Sequence, residues 1–301
     1  MGQNYHIPVL FEEAINALNI KPNGIYVDCT FGGGGHSKGI LERLNNEGHL
    51  ICFDQDADAI GNLPQDSRVT FIQQNFRYVQ KFLRLNNITT VDGVLADLGV
   101  SSYQFNEASR GFSIRFNGPL DMRMDKRSDL TAEKIILSYS ENQLHKLFEQ
   151  YGEVTNSKTL AKHIVQNRSK SVVNNIESFL ALLKPVVKGN PNKYFAQVFQ
   201  ALRIEANDEL GALKEMLAQI PQMLKSSGRL AIITFHSLED RIVKNFFKDG
   251  SFEEKLNNPF ETTILQNPLK IITKKPVVPS AEEIKNNNRS RSAKLRVAEK
   301  I

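Results

Sequence analysis

Four short, continuously apolar runs, separated by three helix-like stretches, fill the first hundred residues and restrict the fold more than any other feature of the chain. GIYVDCTF (Gly24–Phe31), HLICFDQD (His49–Asp56), RVTFIQQNF (Arg68–Phe76) and VDGVLADLGV (Val91–Val100) read as strands. Helical patterns at Ser37–Leu44, Ala57–Leu63 and Tyr78–Leu85 lie between them. A strand with one wet face alternates apolar and polar residues. These runs do not alternate, so both of their faces are covered, as in a parallel sheet wrapped by helices. The pattern predicts an α/β fold with a doubly wound, mostly parallel sheet of nucleotide-binding type.

After Ala108 the pattern changes. SENQLHKLFEQYG has capping-box spacing from Ser140 to Gln143, then Leu144, Leu147, Phe148 and Tyr151 at helical intervals, with Gly152 as a stop. SKTLAKHIVQN and NNIESFLALLKPVV continue in the same way, the latter with Phe179, Leu182, Leu183 and Val186 on one face. No strand pattern appears between Arg110 and Pro191. Strand language then returns: an amphipathic helix at Leu210–Leu224 precedes the apolar run GRLAIITFHS (Gly228–Ser237). TTILQ and LKIITKK could pair as a hairpin, and AKLRVAEK could add a terminal strand. The chain therefore reads as a discontinuous sheet domain, 1–108 and 197–301, interrupted by an all-helical insert at 109–196.

Composition excludes several other classes. At 301 residues the chain has room for about two domains. Its only cysteines, Cys29 and Cys52, lie inside apolar runs and cannot build a disulfide framework. The first residues lack the basic start and apolar stretch of a signal peptide, and no run approaches the roughly 20 apolar residues that span a bilayer. A cytoplasmic location is the expectation. The six histidines include no pair at metal-ligand spacing, so no metal site is expected.

The richest stretch is VDCTFGGGGHS, Val27–Ser37, a glycine turn between a strand and a helix. Such a turn lets backbone N–H groups approach a ligand that side chains would block. The dinucleotide fingerprint G-x-G-x-x-G fails at Ser37, and no Gly-Lys-Ser/Thr follows to make a phosphate loop. S-adenosylmethionine is the remaining common user of this turn, with other nucleotide-like ligands left open. Asp54 ends the second strand about 20 residues later, where a carboxylate can accept both ribose hydroxyls. Asp56 and Asp58 suit helix-start capping. Phe76 closes the third strand, where its ring could cover an adenine or simply fill the core.

Asp97 ends the fourth strand in ADLGVSSYQF, beside the ligand crevice of a doubly wound sheet. A carboxylate in an apolar strand is expensive without partners, which favours a functional role. GVSSY resembles a nucleophile elbow but lacks its last glycine, and His236 in TFHSLED could cap the fifth strand as well as serve a serine. A serine hydrolase is therefore set aside.

Taken together, HIPVL, DCTFGGGGHS, DQDADAI, DGVLADLGVSS, RGFS and GPLDMRMD (together within Arg110–Asp125), FQALRIEANDEL, GRLAIITFHSLEDRIVKNFF and RSRSAKLRVAEK resemble one family, the bacterial 16S ribosomal RNA cytosine-N4 methyltransferases of the MraW or RsmH type. They run in the family's order from residue 6 to residue 300. The resemblance implies a Rossmann-like class I methyltransferase core with an inserted helical domain for substrate recognition. It implies methyl transfer from S-adenosyl-L-methionine to a cytidine amine in the decoding region of 16S rRNA, in the small ribosomal subunit. Carried over by position, the cofactor residues are Gly34, Gly35, His36, Asp54, Phe76, Asp97 and Gln104, with Asp97 also the catalytic candidate. Tyr103 stands where members usually have proline, and its ring is available to stack on a base. Two other readings share the fold: a methyltransferase with a different substrate, and a ribosome-assembly factor without catalysis.

The net charge of +5 is uneven. The stretches 109–196 and 270–301 each carry an excess of +6, while 1–108 and 197–269 are acidic. Two basic surfaces around an acidic core suit a protein that grips phosphates, with Arg289, Arg291 and Lys294 as candidates in the tail.

Overall fold

The computed structural model describes residues 8–170, 172–252 and 267–301, and the chain divides into two compact units. One is Met1–Gly99 with Gly211–Ile301, the other Val100–Leu210. The chain begins with α1 (Phe11–Ala17), β1 (Ile25–Asp28), α2 (Gly35–Leu41), β2 (His49–Phe53), β3 (Val69–Ile72), α3 (Val79–Leu85) and β4 (Val91–Asp97). It leaves the sheet for α4 (Ser102–Asn106), α5 (Ala132–Ser138), α6 (Glu141–Gln150), α7 (Ser157–Asn167), α8 (Ile176–Leu183) and α9 (Pro191–Asn207). It returns with α10 (Glu209–Met223), β5 (Leu224–Thr234), α11 (Ser237–Asp249), β6 (Leu269–Ile271), α12 (Ala281–Asn286) and β7 (Lys294–Lys300).

In the first unit seven strands form one sheet in the order β3-β2-β1-β4-β5-β7-β6. The five strands from β3 to β5 pair in parallel, and β7 runs antiparallel to both of its neighbours. This is a doubly wound α/β sheet of Rossmann type. Both faces of its central strands are covered: Tyr26, Val27, Ile51, Phe53, Val94 and Leu95 are fully buried. Burying each such side chain contributes about 1.5–3 kcal/mol. Chain order reverses between β1 and β4, and a ligand crevice opens at the carboxyl ends of strands at such a switch point. The first four strands end short of the apolar runs that announce them, because the last residues of each run bend into loops at that edge. TTILQ lies outside the described residues, as do His6 and Ile7 of HIPVL; LKIITKK contributes β6, which pairs with β7.

The basic stretch 270–301 is not a free tail. AKLRVAEK is β7, inside the sheet, and its cations have partners there. Arg296 donates to Asp240 at 2.6 and 3.2 Å, Lys294 reaches the same carboxylate at 3.2 Å, and Glu299 pairs with Arg229 at 3.0 Å. Arg289 and Arg291 lie in a 3-10 turn, Asn288–Ser292.

The second unit is helical. Among its described residues the only strand-like pairing is an isolated bridge, Pro119 to Asn175. Its core gathers Leu144, Phe148, Leu160, Ile164, Phe179 and Leu202. Ser140 and Gln143 form the reciprocal cap that their spacing predicts. The unit exceeds 109–196 at both ends. At the far end α9 is one continuous helix whose Val198, Phe199, Leu202 and Ala206 all pack into the helical core, so a boundary at 196 would cut it. On these bounds the unit holds 15 Lys and Arg against 12 Asp and Glu, a smaller excess than 109–196 alone.

Candidate active site at the carboxyl edge of the sheet

The loop after β1 is organised by Asp28. Its buried carboxylate accepts the Thr30 N–H at 3.0 Å and the Thr30 hydroxyl at 3.5 Å on one oxygen, and the Ser37 hydroxyl at 2.7 Å on the other. Burial raises its pKa, and these three bonds oppose the rise. Two glycines are required by the resulting turn. Gly34 caps α2 with φ of 74°, in the left-handed region. At Gly35 the difficulty is space, since a Cβ there would stand 2.2 Å from Pro8 Cγ.

Asp54, just past β2, closes on this turn. Its Oδ2 accepts the Gly32 N–H at 2.7 Å and its Oδ1 the Asp56 N–H at 2.8 Å. Burial lifts its pKa to about 6, the two N–H groups pull it down, and the charges of Asp56 and Asp28 push it up again. Each oxygen keeps a second lone pair for a further donor. Asp56 caps the 3-10 turn Ala57–Asn62 by accepting from Asp58 N–H. Phe76 does not close β3, which ends at Ile72. It opens a 3-10 turn, Phe76–Tyr78, after an Asn75 cap, and its half-buried ring packs against the core. The segment 73–76 reads as strand because it follows an apolar run, but its Gln-Gln-Asn leaves the sheet.

At the end of β4 the backbone of Asp97 is held while its carboxyl is not. Its N–H donates to Thr30 Oγ1 at 2.6 Å. Oδ1 is buried with no hydrogen-bond partner, and Oδ2 stands 3.6 Å from His36 Nδ1. His36 Nε2 lies 3.1 Å from the Val9 carbonyl, which can only accept, so the proton sits on Nε2 and Nδ1 offers a lone pair. Burial lowers the His36 pKa to about 4, which keeps the ring neutral at pH 7. Burial first, and then the charges of Asp28 and Glu239, hold the Asp97 carboxyl well above the usual carboxylate range.

Among the described residues no lysine or arginine pairs with Asp97. Asp28, Asp54 and Asp97 thus bring three carboxyl groups to the carboxyl edge of β1, β2 and β4. Such a site attracts a positive ligand and repels a pyrophosphate. S-adenosylmethionine, with a sulfonium and an ammonium against one carboxylate, fits it.

Gln104 belongs to the second unit. Its side chain and that of Ser101 cap the start of α4 reciprocally, with Ser101 N–H donating to Gln104 Oε1 at 3.0 Å. Ser101 is thus a helix cap, and Tyr103 beside it is exposed.

The profile of the MraW methylase family matches residues 3–301. The chain belongs to that family. Among its relatives is Ribosomal RNA small subunit methyltransferase H of Azobacteroides pseudotrichonymphae genomovar. CFP2, 56% identical over 298 residues that cover 99% of this chain and 98% of that protein. The protein of the same name from Bacteroides thetaiotaomicron is 52% identical over 297 residues, covering 98% and 97%. Likeness to solved structures is weaker: an rRNA methylase from Streptococcus thermophilus is 13% identical with a TM-score of 0.41, covering 98% of this chain and 99% of that one. This family member is an enzyme, a methyltransferase whose methyl donor is S-adenosylmethionine.

Six of the seven expected cofactor residues of the methylase, Gly34, Gly35, His36, Asp54, Phe76 and Asp97, lie in the first unit, and Gln104 lies in the second. Sequence reading missed Asp28, Thr30 and Ser37, which set the turn and hold the Asp97 backbone. The signal was available: a carboxylate that ends an apolar strand two residues before Thr30 has to find donors nearby. The long motif GPLDMRMD proves to be a tied loop of the helical unit. Arg110 donates to the Arg123 carbonyl at 2.9 Å, Asp121 pairs with Arg123 at 2.8 Å, and Asn207 bonds Met122 and Met124 backbone groups at 2.7 Å each.

Proposed function

We propose that this methylase transfers a methyl group from S-adenosylmethionine to the N4 amine of a cytidine in the decoding region of 16S rRNA, in the small ribosomal subunit, and that it works in the cytoplasm. The relatives' names supply the substrate class. Among the described residues no helix is long and apolar enough to cross a membrane. The observation that carries the reaction is the buried, unpartnered Oδ1 of Asp97 at the switch point.

When bound, the cofactor supplies an electrophilic methyl group on its sulfonium. Asp54 would accept the ribose hydroxyls on its remaining lone pairs. Gly34 and Gly35 give the turn its shape, and His36 and Phe76 are the other first-unit residues proposed to contact the cofactor. Gln104, whose side chain caps α4, is the remaining residue of the proposed set. The chemical difficulty lies with the amine. Its lone pair is delocalised into the cytosine ring, so it attacks poorly unless a group accepts one of its N–H bonds and lines it up. Asp97 is that group. Thr30 fixes its backbone, and its unpartnered Oδ1 is free to accept the amine N–H and the proton that the alkylated amine must lose. Methyl label from the cofactor, offered to free 16S rRNA, to small subunits or to neither, should reach a cytidine of the small subunit. Label in no RNA, with the cofactor still bound, would leave an assembly factor as the better reading.

A further inference from the structure

The imidazole of His236 is not needed for the structural task it performs. Asp97 is in register with Ile233 of β5, so Phe235 and His236 leave the sheet at the same carboxyl edge, and Phe235 lies 3.5 Å from where a Cβ on Gly99 would stand. His236 is the N-cap of α11, its Nδ1 accepting the Glu239 N–H at 3.4 Å. Asn, Asp and Ser make good N-caps, so capping alone does not call for histidine. The loop is held firmly all the same. Glu239, itself buried, accepts the N–H groups of Phe235 at 2.8 Å and of His236 at 3.3 Å.

With Nδ1 spent as an acceptor, the neutral ring carries its proton on Nε2. That N–H is closed to water and has no hydrogen-bond partner, although Glu239 Oε1 is 3.2 Å away. The side chain is 8% exposed. A buried donor that makes no aligned hydrogen bond is rare in a folded protein and marks a place where a ligand completes the set.

We infer that His236 Nε2–H reads the target base, donating to ring N3 of the cytosine whose amine faces Asp97. The inference rests on the proposed cytidine reaction. Cytosine presents a donor at N4 beside an acceptor at N3. Asp97 supplies the acceptor for the first and His236 the donor for the second, on neighbouring strand ends. Uracil, with an N–H at position 3 and a carbonyl at position 4, has the opposite pattern and would meet donor with donor and acceptor with acceptor. A hydrogen bond to N3 does not make the amine more nucleophilic, so His236 acts in recognition and alignment of a flipped base.

His236→Asn tests this, because asparagine retains a good cap but is too short to place an N–H at the Nε2 position. The variant should keep its melting temperature and cofactor Kd while kcat/KM on small subunits falls at least tenfold. Subunits rebuilt with 3-deazacytidine at the target position keep the amine and lose N3. That change should cost the variant at least fivefold less than it costs the wild type. Full activity of the variant, or equal penalties in both proteins, would overturn the inference. Failure of the wild type to methylate natural subunits would instead remove the cytidine reading on which it rests.

Discussion

Asp54 and Asp97 end parallel strands of one sheet, on either side of β1, yet the protein treats them differently. Asp54 has a backbone N–H on each oxygen, so its carboxylate fastens the glycine turn to β2 before any ligand arrives. Asp97 is fixed through its backbone, by Thr30, and its carboxyl has been left without a donor on Oδ1. One is a finished part of the scaffold that can still accept more. The other is held in place and chemically unspent. On the proposed reading, binding and catalysis are divided between two residues of the same type by what the neighbouring loop offers each of them.

If the backbone bond from Thr30 is what sets Asp97 apart, its loss should be felt strongly. Thr30→Val keeps the shape and leaves the Asp97 N–H without its acceptor, which costs about 1–3 kcal/mol in denaturant unfolding. The rate of methyl transfer falls with it, and Thr30→Ser restores both. Stability that returns with serine while the rate does not would detach Asp97 from this support.

A smaller effect separates the two carboxyl groups by pH. Asp54 titrates near 4 when unfolded and at about 6 in the fold, so the folded protein binds its proton more tightly. The stability this contributes is complete below about pH 4 and is lost as pH rises to about 6. Asp54→Asn cannot titrate. Its melting temperature, relative to the wild type, should climb across that window and then level off. A constant difference would mean that Asp54 is not desolvated in the fold.

Much of this was legible in the sequence. Unbroken apolar runs gave the parallel sheet because strands covered on both faces have no polar side to show. Ser140 and Gln143 announced their cap by spacing alone. Asp54 and Asp97 stood out as carboxylates at strand ends. Phe76 was misplaced because an apolar run does not say where its hydrogen-bond ladder stops. Charge counting turned β7 into a basic tail: Lys294 and Arg296 carry charge in any count, and only the fold brings Asp240 to them. The roles of Thr30 and Glu239 depend on contacts across 67 residues to Asp97 and on a buried cap, which pattern reading does not resolve.

The division of labour between the two aspartates is tested most directly by single-turnover methyl transfer to small subunits at saturating cofactor, with Asp97→Asn and Asp54→Asn measured side by side and cofactor Kd determined for each. Loss of a positioned proton acceptor typically costs about 10²–10⁴-fold. Asp97→Asn should therefore fall by at least about 10²-fold even when saturated, while Asp54→Asn binds the cofactor more weakly and, once saturated, transfers within a few-fold of the wild type. An Asp97→Asn enzyme that regains the full rate at saturation would contradict the account and make Asp97 a cofactor ligand alone.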